Sequence, residues 1–151
     1  MTKYNSLYKK KILILGLPGS GKTTLARELA PLLNAVWFNA DDVRKNITYH
    51  LGFEEEDRIK QAKTMKWLAD KVVDSGHYVI VDFICPTLAT RVAFGWENAF
   101  VIWMNRIKSG RFADTNEMFV PPTLGTYDIQ IPESGSQAYW ANRIHKMIVD
   151  R

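Results

Sequence analysis

The sequence is most informative first for what it lacks. Among 151 residues there is one cysteine, Cys85. A lone thiol excludes an internal disulfide framework and suits a reducing compartment. It reads as a small buried residue and not as a nucleophile. No apolar run approaches the ~20 residues that a membrane-spanning helix needs. The N-terminal stretch, with Lys3, Lys9, Lys10 and Lys11, lacks the apolar core of a secretory signal. A cytoplasmic location is the expectation. His50, His77 and His145 are scattered without ligand spacing, so no histidine metal site is expected. There is no internal repeat, no low-complexity tract and no convincing domain boundary.

Charge of one sign is also scarce. Twenty Lys and Arg oppose 16 Asp and Glu, a net charge of +4. No recognition helix or aromatic RNA-binding motif accompanies this mild bias. Neither nucleic acid nor membrane is expected as a partner. A small anionic substrate accounts for the charge equally well, and Lys9, Lys10 and Lys11 read as a solvated flank of the first strand.

What is present is enough for one ordinary domain, taken as residues 1–151. Apolar residues make up 46% of the chain, within the globular range. The decisive segment is Gly16-Leu17-Pro18-Gly19-Ser20-Gly21-Lys22-Thr23, which fits the phosphate-binding pattern G-x-x-x-x-G-K-[ST]. An apolar run, residues 12–15, leads into it, and a helical stretch begins at Thr23 and Thr24. Strand, glycine loop and helix form the setting the motif requires. Glycines let successive backbone N–H groups turn inward around phosphate oxygens. The helix N-terminus adds partial positive charge. Lys22 is expected to reach the β- and γ-phosphates of ATP, and the Thr23 hydroxyl to ligate Mg²⁺.

Downstream, extended and helical patterns alternate. This predicts a three-layer α/β/α fold of the P-loop NTPase type with a mostly parallel central sheet. Residues 35–38 read as a short buried strand. Asp41 or Asp42 is placed to cap a short helix after it. A long helix is expected from about Glu54 to Ser75, with Ile59, Ala62, Met65, Leu68, Ala69, Val72 and Val73 on one stripe. Gly76 stops it. Residues 78–81 form the next strand, ending at Asp82. A short helix follows Pro86, and another strand covers 98–104. Residues 105–125 are polar, basic at their start and broken by Pro121 and Pro122, a candidate lid. Residues 127–131 are a candidate last strand. Trp140, Ile144, Met147 and Ile148 mark a final amphipathic helix. Trp67 and Trp140 read as packing residues.

In an open parallel sheet, ligands bind beyond the carboxyl ends of the strands. The residues there are the phosphate loop, 39–42, 82–86 and 105 onward. Asp82 reads as the strand-end aspartate near Mg²⁺. Asp41 or Asp42 can orient and deprotonate an acceptor hydroxyl. Arg44 and Arg58 can make forked contacts to phosphate or sulfate oxygens. Arg106 and Arg111 are candidate lid arginines, whereas Lys108 reads as solvated. Phe53 and Phe112 can stack on a purine, with Phe119 a weaker candidate.

These residues also carry a family resemblance. The phosphate loop, Asn39-Ala40-Asp41-Asp42-Val43-Arg44, the run from Leu51-Gly52-Phe53 to Asp57-Arg58, and Phe83-Ile84-Cys85-Pro86 resemble the motifs of adenylylsulfate kinases in order and spacing. These enzymes phosphorylate the 3′-hydroxyl of adenosine 5′-phosphosulfate with MgATP. The resemblance implies a catalytic role for Asp41 and substrate contacts from Arg44, Phe53, Arg58, Ile84 and Phe112. The sequence departs from the family pattern at Asn39, where the family has aspartate, and at Ala40, where it has glycine. Gln61 stands where a substrate-binding asparagine is expected, and Asp82 is unusual at its strand end. Two alternatives stay open: a P-loop kinase for another small hydroxyl substrate, and a non-catalytic nucleotide-binding module. A homodimer is compatible with either enzyme reading.

Overall fold

The computed structural model describes residues 9–107 and 117–150. Five parallel strands form one sheet in the order β2-β3-β1-β4-β5. They are β1 (Lys11–Leu15), β2 (Val36–Asn39), β3 (Val79–Asp82), β4 (Phe100–Met104) and β5 (Ile129–Ile131). The helices are α1 (Lys22–Leu33), α2 (Ala40–Asn46), α3 (Glu55–Asp74), α4 (Leu88–Phe94) and α5 (Gln137–Val149), with a 3₁₀ turn at Trp96–Asn98. No helix among the described residues is long and apolar enough to cross a membrane.

The central strand explains the three layers. Side chains alternate faces along a strand, so β1 sends Ile12 and Ile14 one way and Leu13 and Leu15 the other, all fully buried. Ile12 and Ile14 meet Leu25 and Leu29 of α1 and Ile144 and Ile148 of α5. Leu13 and Leu15 join Ala62, Met65 and Ala69 of α3 and Phe94 of α4. A strand covered on both faces must be apolar throughout, which is why its run is unbroken.

Four details differ from the sequence-based expectations. Residues 36–39 are not a buried strand: β2 pairs only with β3 and lies at the sheet edge, with Val36 exposed. The cap of α2 is Asn39, not Asp41 or Asp42. Asn39 has extended backbone angles, and its Oδ1 accepts from the Asp42 N–H, while both aspartates sit in the first helical turn. Trp67 is not a packing residue; it faces outward, 61% exposed, near Lys71 Nζ. Lys11 is not solvated. It is buried at the start of β1, and its Nζ donates to Asp70 Oδ1 at 2.7 Å.

The second half of the expected lid is anchored where it is described. Arg91 is buried, and its guanidinium donates to the carbonyls of Cys85, Pro86 and Val120. The Val120 N–H returns a bond to Pro86 O at 2.7 Å. Residues 119–120 are thereby strapped to the start of α4. Lys108, Arg111 and Phe112 lie outside the described residues.

Candidate active site

A cavity of about 700 Å³ opens at the carboxyl end of the sheet. The phosphate loop forms one wall. Gly19 and Gly21 take left-handed backbone angles, φ 85° and 95°. A Cβ on Gly21 would meet only the movable amide end of Gln137, so it is the left-handed backbone that favours glycine there. Lys22 is buried, and its Nζ donates to the carbonyls of Gly16 and Leu17 at 3.0 Å each.

The N-terminus of α1 differs from the others in the fold. Asn39, Thr87 and Ser136 cap α2, α4 and α5 with side-chain acceptors, and α3 has three acids in its first turn. The N-cap of α1 is Gly21, with no side-chain cap and no acid in the first turn. An uncapped helix start behind a glycine loop is suited to an anion such as phosphate.

The facing wall comes from α2, α3 and the loop between them. Asp41 is exposed in the first turn of α2. Arg44, one turn on, donates from Nη1 to the carbonyls of Leu51 and Gly52 at 3.2 and 2.9 Å. These bonds fix the 51–52 turn and set the guanidinium 4.4 Å from the Phe53 ring centroid. Arg58, the first buried residue of α3, approaches the same ring at 5.6 Å, and its Nε donates to Phe53 O. Burial, and then the charge of Arg58, hold the Arg44 guanidinium below its ordinary pKa; Asp41 and Asp57 act in the opposite sense. Two neighbouring cations beside an aromatic face form a receptor for an anion attached to a ring.

Between the walls stand Asn39 and Asp82, register partners on β2 and β3. Asp82 is 1% exposed. Its carboxylate accepts from Trp37 Nε1 at 2.5 Å and Asn39 Nδ2 at 3.0 Å. Burial raises its pKa, against the opposing influence of the Trp37 bond, Lys22 and Asn39. Asn39 Nδ2 also lies 3.4 Å from Thr23 Oγ1. The Thr23 hydroxyl and the Asp82 carboxylate are hard oxygen donors, the ligand type Mg²⁺ prefers. No group of three or more His, Cys, Asp or Glu capable of holding a metal occurs among the described residues.

Most of the candidate site residues line this one cavity: Lys22, Thr23, Asp41, Arg44, Phe53, Arg58, Gln61, Asp82 and Ile84. Four candidates have additional or different engagements. Gln61 is 2% exposed; its Oε1 accepts from Thr48 Oγ1 at 2.6 Å, and its Nε2 faces Ala40 O and Met65 Sδ. Ile84 O accepts from the Gly16 N–H at 3.4 Å, joining the fourth motif to the phosphate loop. Arg106 stands outside the cavity. Its Nη2 donates to the carbonyls of Glu133 and Gly135 at 3.0 Å, ahead of α5. Phe119 packs toward Arg91, 5.3 Å from ring to guanidinium, away from a stacking position in the cavity.

Sequence reasoning missed Thr48 and Trp37, which fix Gln61 and Asp82, and Arg91, which fixes the Cys85 and Pro86 carbonyls. Trp37 had a legible signal: it is two residues before Asn39 on the same strand, so both face the same side. Arg91 had none, because its partner Val120 is 29 residues away.

The geometry agrees with comparisons to known proteins. The chain is 36% identical over 92 residues to a probable adenylyl-sulfate kinase of Aeropyrum pernix, covering 57% of this chain and 50% of that one. It is 32% identical over 123 residues to an adenylyl-sulfate kinase of Citrobacter koseri, covering 78% and 55%. The chain thus spans about half the length of the curated relatives it matches. In fold it is similar to the APS kinase of Mycobacterium tuberculosis solved with AMPPNP and APS. The TM-score is 0.79 at 18% identity, over 93% of this chain and 98% of the other. The family model for adenylylsulphate kinase matches residues 9–97, well over half of the sequence. The chain belongs to the adenylylsulphate kinase family.

Proposed function

We propose that this protein transfers the γ-phosphoryl group of ATP to the 3′-hydroxyl of adenosine 5′-phosphosulfate, giving the 3′-phosphorylated product and ADP. One observation carries the reading: a single cavity holds the phosphate loop on one wall and Asp41, Arg44, Phe53 and Arg58 on the other. Donor and acceptor groups therefore face each other in one space, as in-line transfer requires.

Loop N–H groups and Lys22 hold the donor phosphates. Arg44 and Arg58 hold the phosphosulfate of the acceptor, and Phe53 stacks on its adenine. The acceptor oxygen attacks the γ-phosphorus, the bond to the β-phosphate oxygen breaks, and the hydroxyl proton passes to the Asp41 carboxylate. Thr23 and Asp82 would hold Mg²⁺, directly or through water. When bound, that ion neutralises charge on the phosphate oxygens. A cytoplasmic location and a homodimeric assembly complete this reading.

One observation favours a second reading, a different hydroxyl acceptor. The Gln61 amide is engaged with Thr48 and Ala40, so it offers less to a substrate than its position suggests. The same experiment separates the readings: ADP release from MgATP, measured with and without adenosine 5′-phosphosulfate. Stimulation by that compound is the expected result. Stimulation only by another hydroxyl compound moves the acceptor assignment. No stimulation by a broad panel removes the kinase reading in favour of a nucleotide-binding module.

A further inference from the structure

Two departures from the family motif, at positions 39 and 82, meet in space. Asn39 and Asp82 are Cα partners across β2 and β3, and their side chains are bonded at 3.0 Å. The polarity of the surrounding bonds is fully specified. Asn39 Oδ1 accepts from the Asp42 N–H at 3.2 Å, so the amide nitrogen must face Asp82 and Thr23. Asp82 Oδ2 accepts from Trp37 Nε1, so Oδ1 is left to accept from Asn39.

This polarity leaves no freedom at either position while the other is kept. An aspartate in place of Asn39 would keep the cap on α2. It would lose both donations and set a second carboxylate against one that is 1% exposed. Two like charges at hydrogen-bond distance in a buried site are strongly unfavourable. The reverse arrangement is sound on paper. With the acid on β2 and the amide on β3, the amide oxygen accepts from Trp37, its nitrogen donates across the strands, and the acid still caps α2. The Thr23 hydroxyl can then donate to that acid.

We infer that Asn39 and Asp82 are a matched amide–carboxylate pair that joins the end of β2 to the end of β3. Asn39 is the positioning residue. It ties the Thr23 hydroxyl at the start of α1 to the first turn of α2, which carries Asp41. The inference deepens the proposed function and rests on it only in that Thr23 faces the nucleotide.

The test is a four-protein cycle: wild type, Asn39→Asp, Asp82→Asn and the double exchange. The readouts are the Kd for AMPPNP with Mg²⁺, by calorimetry, and the thermal midpoint without ligand. Each single exchange is expected to weaken MgAMPPNP binding at least tenfold. The double exchange is expected to return within about threefold of wild type. The pairing is overturned if Asn39→Asp matches wild type in both thermal midpoint and MgAMPPNP binding, or if the double exchange is no better than the weaker single in both readouts. If Asn39→Asp does not fold, Asp82→Asn and the double exchange still decide. The link to the nucleotide loop is overturned if only thermal midpoints change across the cycle while all four proteins bind MgAMPPNP equally. No acceptor enters this assay. A failed stimulation by adenosine 5′-phosphosulfate would remove the acceptor assignment and leave the pair standing.

Discussion

The Arg44 guanidinium lies 4.4 Å from the centroid of the Phe53 ring, and that ring is 61% exposed. An exposed aromatic held by cations on two helices is costly to leave in water and useful to a ligand with a flat ring. Phe53→Ala is expected to raise KM for adenosine 5′-phosphosulfate about 5- to 100-fold, the range for loss of one base stack. KM for ATP should change less than twofold. Steady-state kinetics with each substrate varied checks this, and an equal change in both constants would place Phe53 outside the acceptor site.

Lys22 and Asp41 act on opposite sides of the transferring group in this reading. Lys22→Ala and Asp41→Ala should each lower turnover at least about a hundredfold, the scale of key electrostatic and acid–base groups. Asp41 is exposed in the first turn of α2, so its replacement should leave the thermal midpoint nearly unchanged. Near-normal turnover in Asp41→Ala would remove it as the proton acceptor.

Much of this arrangement can be read from residue order, and the parts that cannot share one physical cause. The central strands are legible because burial on both faces leaves an unbroken apolar run, as in β1 and β4. The phosphate loop is legible because its chemistry is local: eight consecutive residues hold all of it. The edge position of β2 is not local. It depends on strand order, and Trp37 and Phe38 look as apolar as any central strand. Asn39 looked like a departure from a motif. Its function as a cap and bridge depends on Asp82, 43 residues away. Gln61 likewise reads as a site residue until Thr48 is brought against it. Motifs mark the walls of the cavity, and long-range polar bonds between them decide which side chains face inward.

The Gln61–Thr48 bond supports a stability prediction. Both residues are buried, and Thr48 Oγ1 has Val43 O as its other partner at 3.5 Å. Gln61→Leu would leave the hydroxyl poorly satisfied, at a cost of about 1–3 kcal/mol. Adding Thr48→Val should recover part of that loss, because removing both polar partners is milder than orphaning one. Urea denaturation of the two variants and wild type measures it. A double variant less stable than Gln61→Leu alone would contradict the pairing.

Lys11 and Lys66 both donate to Asp70, at 2.7 and 2.8 Å. Burial tends to raise the Asp70 pKa, and the two lysine bonds outweigh it and hold the carboxyl below its ordinary value. A carboxyl with a depressed folded-state pKa adds stability above the unfolded value of about 4, and this is lost as pH falls through the folded value. Asp70→Asn should therefore lower the thermal midpoint at pH 7, and the gap to wild type should narrow below about pH 4. The sign follows from Lys11 being buried: at neutral pH the variant leaves its ammonium without a counter-charge. A gap that stays constant from pH 7 to pH 3 would show that the pair contributes packing alone.

Cys85, within the fourth motif, has φ 47° and is fully buried. Burial pushes its thiol up to about 12, against smaller opposing influences from Thr90 and Arg91. Since the thiolate is the reactive form, this burial suppresses the thiol's reactivity at pH 7. Native protein should resist a disulfide reagent for hours and then react at one thiol per chain once urea unfolds it. Rapid native labelling would mean that the 85–91 segment opens readily. In that event the carbonyls of Cys85 and Pro86, which Arg91 holds, could not form a fixed wall for the acceptor. Saturating MgAMPPNP should slow native labelling further. Gly16, at the start of the phosphate loop, is bonded to Ile84 next door, so a loop steadied by ligand also steadies Cys85.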